Sequence, residues 1–233
     1  MVFLCVFLPA VFCLHLLLPG MRAKNFLLVV ASLVFYAYGE PIYVILLVAS
    51  SAGNYILARL TGECPKIRKF TMTLAVVVNL GLLVIFKYSG FLVETFNSVT
   101  GAGIPVPQVR MPIGISFFTF QALSYVIDVY RGDASVQKNF GKVLLYISFF
   151  PQLIAGPIVK YHDVEAEINN RKQTPEEIGK GIRRFIAGLS KKVLIANTMG
   201  LVADNLFGAA ASGITGPGAW LGAVSYMLQI YFD

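Results

Sequence analysis

An all-α protein threaded several times through a lipid bilayer is the fold class that this sequence predicts, on three observations. Of its 233 residues 57% are hydrophobic and 13% charged, with a mean hydropathy of +0.72, well above the apolar share of an average soluble domain. Apolar runs near the roughly 20 residues needed to cross hydrocarbon occur at 2–18, 41–58, 71–93 and 111–130, with a shorter one at 26–39. Basic residues gather in alternate connections between these runs.

The first run reads as a retained helix. No positive charge precedes Val2, and Leu18 is followed by Pro19, Gly20 and Met21 rather than by a small-residue cleavage pattern. Cys5 and Cys13 lie inside it and Cys64 in a basic connection, an arrangement that suits neither a disulfide framework nor a zinc site. His15 and His162 stand outside any cluster at ligand spacing, so no metal site is expected.

Charge placement orients the spans. Arg22 and Lys24 follow the first run, Arg59, Lys66, Arg68 and Lys69 the third, and Arg131, Lys138 and Lys142 the fifth, while the other connections carry Glu40 and Glu94 with only Arg110. Positive loops stay on the cytoplasmic side because moving them across is costly, so five crossings with the N-terminus outside are expected. The formal net charge of +7 is thereby assigned to membrane loops, and lipid rather than nucleic acid is the expected partner.

A sixth apolar run, VLLYISFFPQLIAGPIV at 143–159, starts inside and precedes Lys160, Arg171, Lys172, Lys180, Arg183, Arg184, Lys191 and Lys192. A simple crossing would put all eight outside, and Pro151, Gly156 and Pro157 interrupt the helix. A re-entrant hairpin is expected, with a kinked span as the alternative. Irregular backbone at membrane depth needs protein or a wet cavity to satisfy it, so the hairpin implies an internal chamber.

Thr174, Pro175, Glu176 and Glu177 then mark a helix start: a capping hydroxyl, proline in the first turn and acids at the positive end of the dipole. Ile178, Ile182, Phe185, Ile186, Leu189 and Val193 recur at three- and four-residue steps among basic residues, which predicts a helix on the membrane surface whose charges meet anionic headgroups. The Gly-rich GAAASGITGPG at 208–218 leads into AWLGAVSYMLQIYFD, an apolar pattern with little room to cross before Asp233. The chain is therefore expected to be incomplete at its C-terminus, with 1–233 forming the N-terminal part of a single membrane domain.

The segment MPIGISFFTFQALSYVIDVYRGD, 111–133, carries the candidate site. At helical spacing Gly114, Gln121, Ser124, Tyr125 and Asp128 share one face, and Ile115, Thr119, Leu123, Val126 and Ile127 point elsewhere. Such a face avoids lipid and looks into protein or a cavity. Periodicity leaves two readings open: a substrate-lining face, or interhelical hydrogen bonding with Asp128 paired to Arg131 at the boundary.

This segment, together with FFPQLIAGPIVKY and MLQIYFD, resembles the N-terminal half of the membrane-bound O-acyltransferases, most nearly the bacterial alginate O-acetyltransferase branch. NFLLVVASLVFYAYG and FIAGLSKKVLIANTMGLVADNLF extend the resemblance through nearly the whole chain. It implies an MBOAT-like helical bundle in the bacterial inner membrane around a tunnel, with acetyl groups passing from a cytoplasmic thioester such as acetyl-CoA toward hydroxyls of an exported, alginate-like polysaccharide. Extracytoplasmic acetyltransferase partners are implied and no resident cofactor. In that picture Gln121, Ser124, Tyr125 and Asp128 line or brace the tunnel, and Gln152, Gly156 and Pro157 shape the donor's approach. The family's catalytic histidine belongs to a segment beyond Asp233, and neither His15 nor His162 takes its place, so the chain by itself is expected to be inactive. A non-catalytic transporter or assembly subunit for polysaccharide export is the alternative, since broken helices beside polar faces also build transporter sites.

Overall fold

Helix is the only regular structure among the described residues of the computed structural model, which are 2–154, 156–171, 174–208 and 213–233. Ala155 of the sixth apolar run, Lys172 of the basic set and 209–212 of the Gly-rich connection lie outside them. The chain divides into two compact units, Met1–Arg171 and Lys172–Asp233.

In the first unit, α1 (Phe3–Leu17) opens with a π-turn over Phe3–Phe7. Then come α2 (Met21–Gly39), α3 (Tyr43–Glu63), α4 (Pro65–Thr100) and α5 (Ile115–Arg131). α2, α3 and α4 are each long and apolar enough to cross a membrane. α5 has 17 residues, spanning about 25 Å at 1.5 Å per residue. It starts later than the apolar run 111–130 suggests, because Gly114 takes a left-handed φ of 75° and Met111–Ile113 approach it as irregular chain.

The helices alternate in direction. At one end Tyr43 Oη donates to the Arg110 carbonyl (2.9 Å), Tyr36 Oη to the Ile113 carbonyl (3.0 Å) and Arg110 to Glu40 (3.3 Å). At the other end Arg68, which follows α3, donates to the Tyr130 carbonyl in the last turn of α5. The basic and acidic connections of the sequence thus collect at opposite ends. Phe26, Val34 and Tyr38 on α2, with Ile45 on α3 and Val77 on α4, remain exposed, as befits helices whose surroundings are hydrocarbon.

α5 packs against α3 and α4 on one side and against the segment after it on the other. Ile115, Thr119, Leu123 and Val126, expected to point away from the interior face, are buried as fully as Gln121 and Asp128. The polar face is one side of a central helix, not the inner side of a peripheral one. Between α3 and α4, Asn54 and Asn79 exchange amide hydrogen bonds at 3.1 and 2.7 Å, and the Thr61 and Thr71 hydroxyls meet at 2.9 Å.

The sixth apolar run is a hairpin. α6 (Phe140–Ser148) stops before Pro151, the chain turns through Phe149–Gln152, and an irregular limb returns to α7 (Tyr161–Asn170). Both limbs begin and end at the same end of α5: Gln137, just before α6, donates its backbone N–H to Tyr125 Oη (3.0 Å) and its side chain to Tyr161 Oη (3.0 Å). The tip reaches the opposite end, where the Leu153 carbonyl would lie 2.9 Å from any Cβ at Gly114. A left-handed φ and this approach both require glycine there. The Phe150 ring is packed among Phe3, Phe7 and Phe35 with centroids 5.2 to 6.0 Å away, which ties the tip to α1 and α2.

In the second unit, α8 (Pro175–Gly208) starts with the expected capping box, Thr174 and Glu177 exchanging backbone and side-chain hydrogen bonds at 3.2 and 3.1 Å. The amphipathic stretch expected on the membrane surface is only its first half. The helix continues through a π-turn at Lys192–Ala196, and the whole element is long and apolar enough to cross a membrane. α9 (Gly216–Phe232) begins at a Thr215 cap and packs on α8, with Asp233 paired to Lys192.

Candidate functional site

The polar face of α5 is aimed at the hairpin. α6 ends early, so its last carbonyls lack the N–H groups of a following turn. The Tyr146 carbonyl would accept from Phe150 in a continuing helix, but Phe150 N–H donates instead to Ser32 Oγ on α2 (3.2 Å). Gln121 Nε2 takes its place at 2.8 Å, and Gln152 Nε2 reaches the same oxygen at 2.8 Å from the hairpin turn. Two sequence-predicted site residues thus converge on one carbonyl, whose two lone pairs accommodate both.

Ser124 and Tyr125 continue this bracing. Ser124 Oγ donates to the Gln121 carbonyl (2.9 Å) and lies 3.4 Å from Tyr146 Oη, which donates to the Val159 carbonyl on the returning limb (2.7 Å). Tyr125 packs tilted against Tyr161 with ring centroids 4.7 Å apart, and Tyr161 meets Tyr146 edge-on at 5.2 Å. All three tyrosines are fully buried. Burial raises the Tyr161 pKa, an effect that the hydrogen bond from Gln137 opposes, so its hydroxyl is a neutral donor and acceptor at physiological pH.

Asp128 is 4% exposed, and its Oδ2 has no hydrogen-bond partner. Facing it is the His162 ring, with Nδ1 3.7 Å away, rather than Arg131, which is exposed. His162 Nε2 in turn faces Asp163 at 3.1 Å. The boundary pair weighed from spacing is therefore replaced by a carboxylate held inside against a half-exposed imidazole. Nothing in the sequence signals that His162 meets Asp128, because only the return of the hairpin brings it back beside α5.

Gln152 also lines a cavity of about 190 Å³ between α2, α6 and α7, walled by Leu28, Leu145, Phe149 and Val164 with Glu167 and Arg171 at its polar edge. Gly156 (φ 118°) and Pro157 are exposed on the returning limb. Arg171 fixes α7 to the first two helices: it donates to Asn25 Oδ1 (2.8 Å) and to His15 Nε2 (2.8 Å), and Asn25 donates to the Ile168 carbonyl (2.9 Å). Burial lowers the Arg171 pKa and Glu167 opposes the shift, leaving it a cation. His15 is thus a partner of a structural arginine, a role that its place in an apolar run gave no means of predicting.

The sequence aligns from end to end with proteins of one kind. It is 38% identical over 239 residues to the probable alginate O-acetylase AlgI of Pseudomonas syringae pv. tomato, covering 100% of this chain and 46% of the relative. The chain is a homologue of the alginate O-acetylases. The AlgI of Pseudomonas putida is 39% identical over 239 residues, covering 100% of this chain and 49% of the relative. A peptidoglycan O-acetyltransferase of Helicobacter pylori is 33% identical over 265 residues, covering 99% and 50%. The chain spans about half the length of the curated relatives it matches. No family model matches it, and no solved structure does. The hairpin and the α5 face that braces it both fall inside the shared segment, since the alignments cover the whole chain.

Proposed function

We propose that these residues form part of the membrane subunit of an O-acetyltransferase, which passes acetyl groups from a cytoplasmic thioester such as acetyl-CoA toward hydroxyls of an exported, alginate-like polysaccharide. The observation that carries this reading is the similarity of the chain, over its whole length, to about half the length of the alginate O-acetylases. In this reading the hairpin is the wall against which the donor enters from the inner face of the bacterial cytoplasmic membrane, with Gln152, Gly156 and Pro157 beside its path. Gln121, Ser124 and Tyr125 hold that wall in position, and the Asp128 carboxylate sits where the wall meets α5. Extracytoplasmic acetyltransferases would take the acetyl group onward, and the N-terminus would lie outside.

Acyl transfer to a hydroxyl needs a positioned base, for which histidine is well matched near neutral pH. Of the two histidines present, His15 is held by Arg171 and His162 lies between two carboxylates. We accordingly propose that residues 1–233 alone do not transfer acetyl groups.

A chimera tests the reading. In an alginate-producing bacterium lacking its own O-acetylase, this chain replaces the matched 239-residue segment of a relative, and polymer-bound acetyl is measured with the chimera's abundance in the membrane. Acetylated polymer is the expected result. A chimera inserted at normal abundance that leaves the polymer unacetylated overturns the assignment.

A further inference from the structure

A groove in the first unit lies away from the hairpin's inner face. It has a volume of about 670 Å³ and is formed by the first turns of α2, the start of α6 and the last turn of α7. Arg22 and Lys142 stand over it, with the Asn139 and Asn169 amides at the rim, and no carboxylate lines it. Lys142 Nζ is held by Asn169 Oδ1 at 2.5 Å, and among the described residues neither cation has an acidic partner. Apart from Asn25, whose side chain is turned to Arg171 and the Ile168 carbonyl, the α2 wall is apolar: Met21, Phe26 and Val29 run down it from the charged rim, with Phe26 71% exposed.

Two uncompensated cations above an apolar wall, at the end of a bundle where helices enter hydrocarbon, match an amphiphile with an anionic head. A guanidinium and an ammonium complement phosphate oxygens, the first by its paired N–H groups and the second as a point charge. A headgroup there would place its acyl chains along Phe26 and Val29. A wholly soluble phosphate ester would use the cations and leave the apolar wall uncovered.

We propose that this groove is a binding site for the phosphate headgroup of an anionic phospholipid, seated on Arg22 and Lys142 with its acyl chains against α2. The site is independent of the acyl-transfer reading, which concerns the hairpin and α5.

A local fluorescence probe tests it. The single tryptophan of the chain, Trp220, is replaced by Phe, and Phe26→Trp places a reporter in the groove wall. The purified protein in mixed micelles is titrated with acyl-brominated phosphatidylglycerol or, separately, acyl-brominated phosphatidylcholine. Quenching is expected at lower concentration with the anionic lipid. Its preference should fall about fivefold with Arg22→Gln and about fivefold more with Lys142→Gln added, the effect of one basic residue near an anionic lipid. Arg183→Gln with Arg184→Gln on α8 should leave the preference in place. Arg22 is exposed, so the single Arg22→Gln variant reads the site without disturbing packing. Equal quenching by both lipids, or a preference that survives loss of both cations, overturns the proposal. Loss of quenching on addition of soluble acetyl-CoA overturns it too and assigns the groove to a soluble phosphate ester.

Discussion

Gln121 on α5 and Tyr146 on α6 are joined by a hydrogen bond of 2.8 Å from the amide to the carbonyl, so a membrane helix keeps a buried glutamine in order to close the end of its neighbour. Gln152 reaches the same carbonyl at 2.8 Å, which makes the two amides mutual substitutes. Gln121→Leu or Gln152→Leu alone leaves the carbonyl one partner and should cost about 1 kcal/mol. The double substitution strands it away from water and should cost about 2–3 kcal/mol more than either single change. Unfolding in mixed micelles with increasing SDS measures all three. Additive costs would show that the shared carbonyl does not couple the two residues.

Gly114 carries a prediction of a different kind. Its φ of 75° and the 2.9 Å that would separate a Cβ there from the Leu153 carbonyl make Gly114→Ala unfavourable twice, by the left-handed backbone and by collision with the hairpin tip. The backbone effect alone is about 1–2 kcal/mol. The same substitution at Gly53, where a Cβ meets nothing within 4 Å on α3, should be stabilising or neutral, since alanine favours helix. Paired unfolding measurements of the two variants check the contrast, and an equal response would remove the special role given to the tip.

The hairpin was legible because Pro151 and Pro157 forbid continuous helix and eight following cations oppose a simple crossing. What its backbone would need was not legible: the Tyr146 carbonyl becomes an orphan only once α6 stops at Ser148 and Phe150 turns toward Ser32. Nor could periodicity place α5 at the centre of the unit, since Val126 and Leu123 read equally well as facing lipid or facing α3 and α4. The length of α8 was missed for a related reason: the charged half of 175–193 has a strong amphipathic pattern, and nothing in Lys192–Ala196 breaks the helix before its apolar half. The Asn54–Asn79 pair gave no signal beyond two polar residues in apolar runs.

That pair supports a third prediction. Each amide also donates to the carbonyl one turn earlier, Asn54 to Ser50 at 3.0 Å and Asn79 to Ala75 at 2.8 Å, and both side chains are buried. Asn79→Leu removes one side of the exchange and leaves Asn54 Oδ1 without its donor between the helices, at a cost of about 1–2 kcal/mol. Asn54→Leu with Asn79→Leu leaves no stranded amide and should recover part of the loss. A double variant destabilised by the full sum of the two singles in the same assay would show that the amides act independently.

The orientation of the bundle is tested by labelling. In a variant with Cys5, Cys13 and Cys64 replaced by Ser, Ser98→Cys and Ser135→Cys place single thiols at exposed positions, in the last turn of the long α4 and after α5. A membrane-impermeant maleimide applied to intact cells should mark position 98, and mark position 135 only after permeabilisation, because the basic connections belong inside. The reverse pattern would invert the bundle and put the groove at Arg22 on the outer face.

Asp128 separates stability from function. Its carboxylate is buried, one oxygen lacks a hydrogen-bond partner among the described residues, and the group facing it is the His162 ring 3.7 Å away, whose side chain is 38% exposed. An attraction at that distance to a partly solvated group offsets little of the cost of burying a charge. Asp128→Asn keeps the shape, removes the charge and leaves an amide that is cheaper to bury, so the fold should stay within about 1 kcal/mol of the parent or gain slightly. A charged group retained inside a membrane protein without a stabilising partner is a functional candidate. In a chimera that restores polysaccharide acetylation, Asp128→Asn should therefore lower polymer-bound acetyl at unchanged membrane abundance, whereas His162→Gln, removing the facing ring from the exposed side, should do so less. Parental acetylation together with parental abundance would leave Asp128 without a role in transfer. A sharp loss of abundance would instead show that the carboxylate is needed to hold the returning limb of the hairpin against α5.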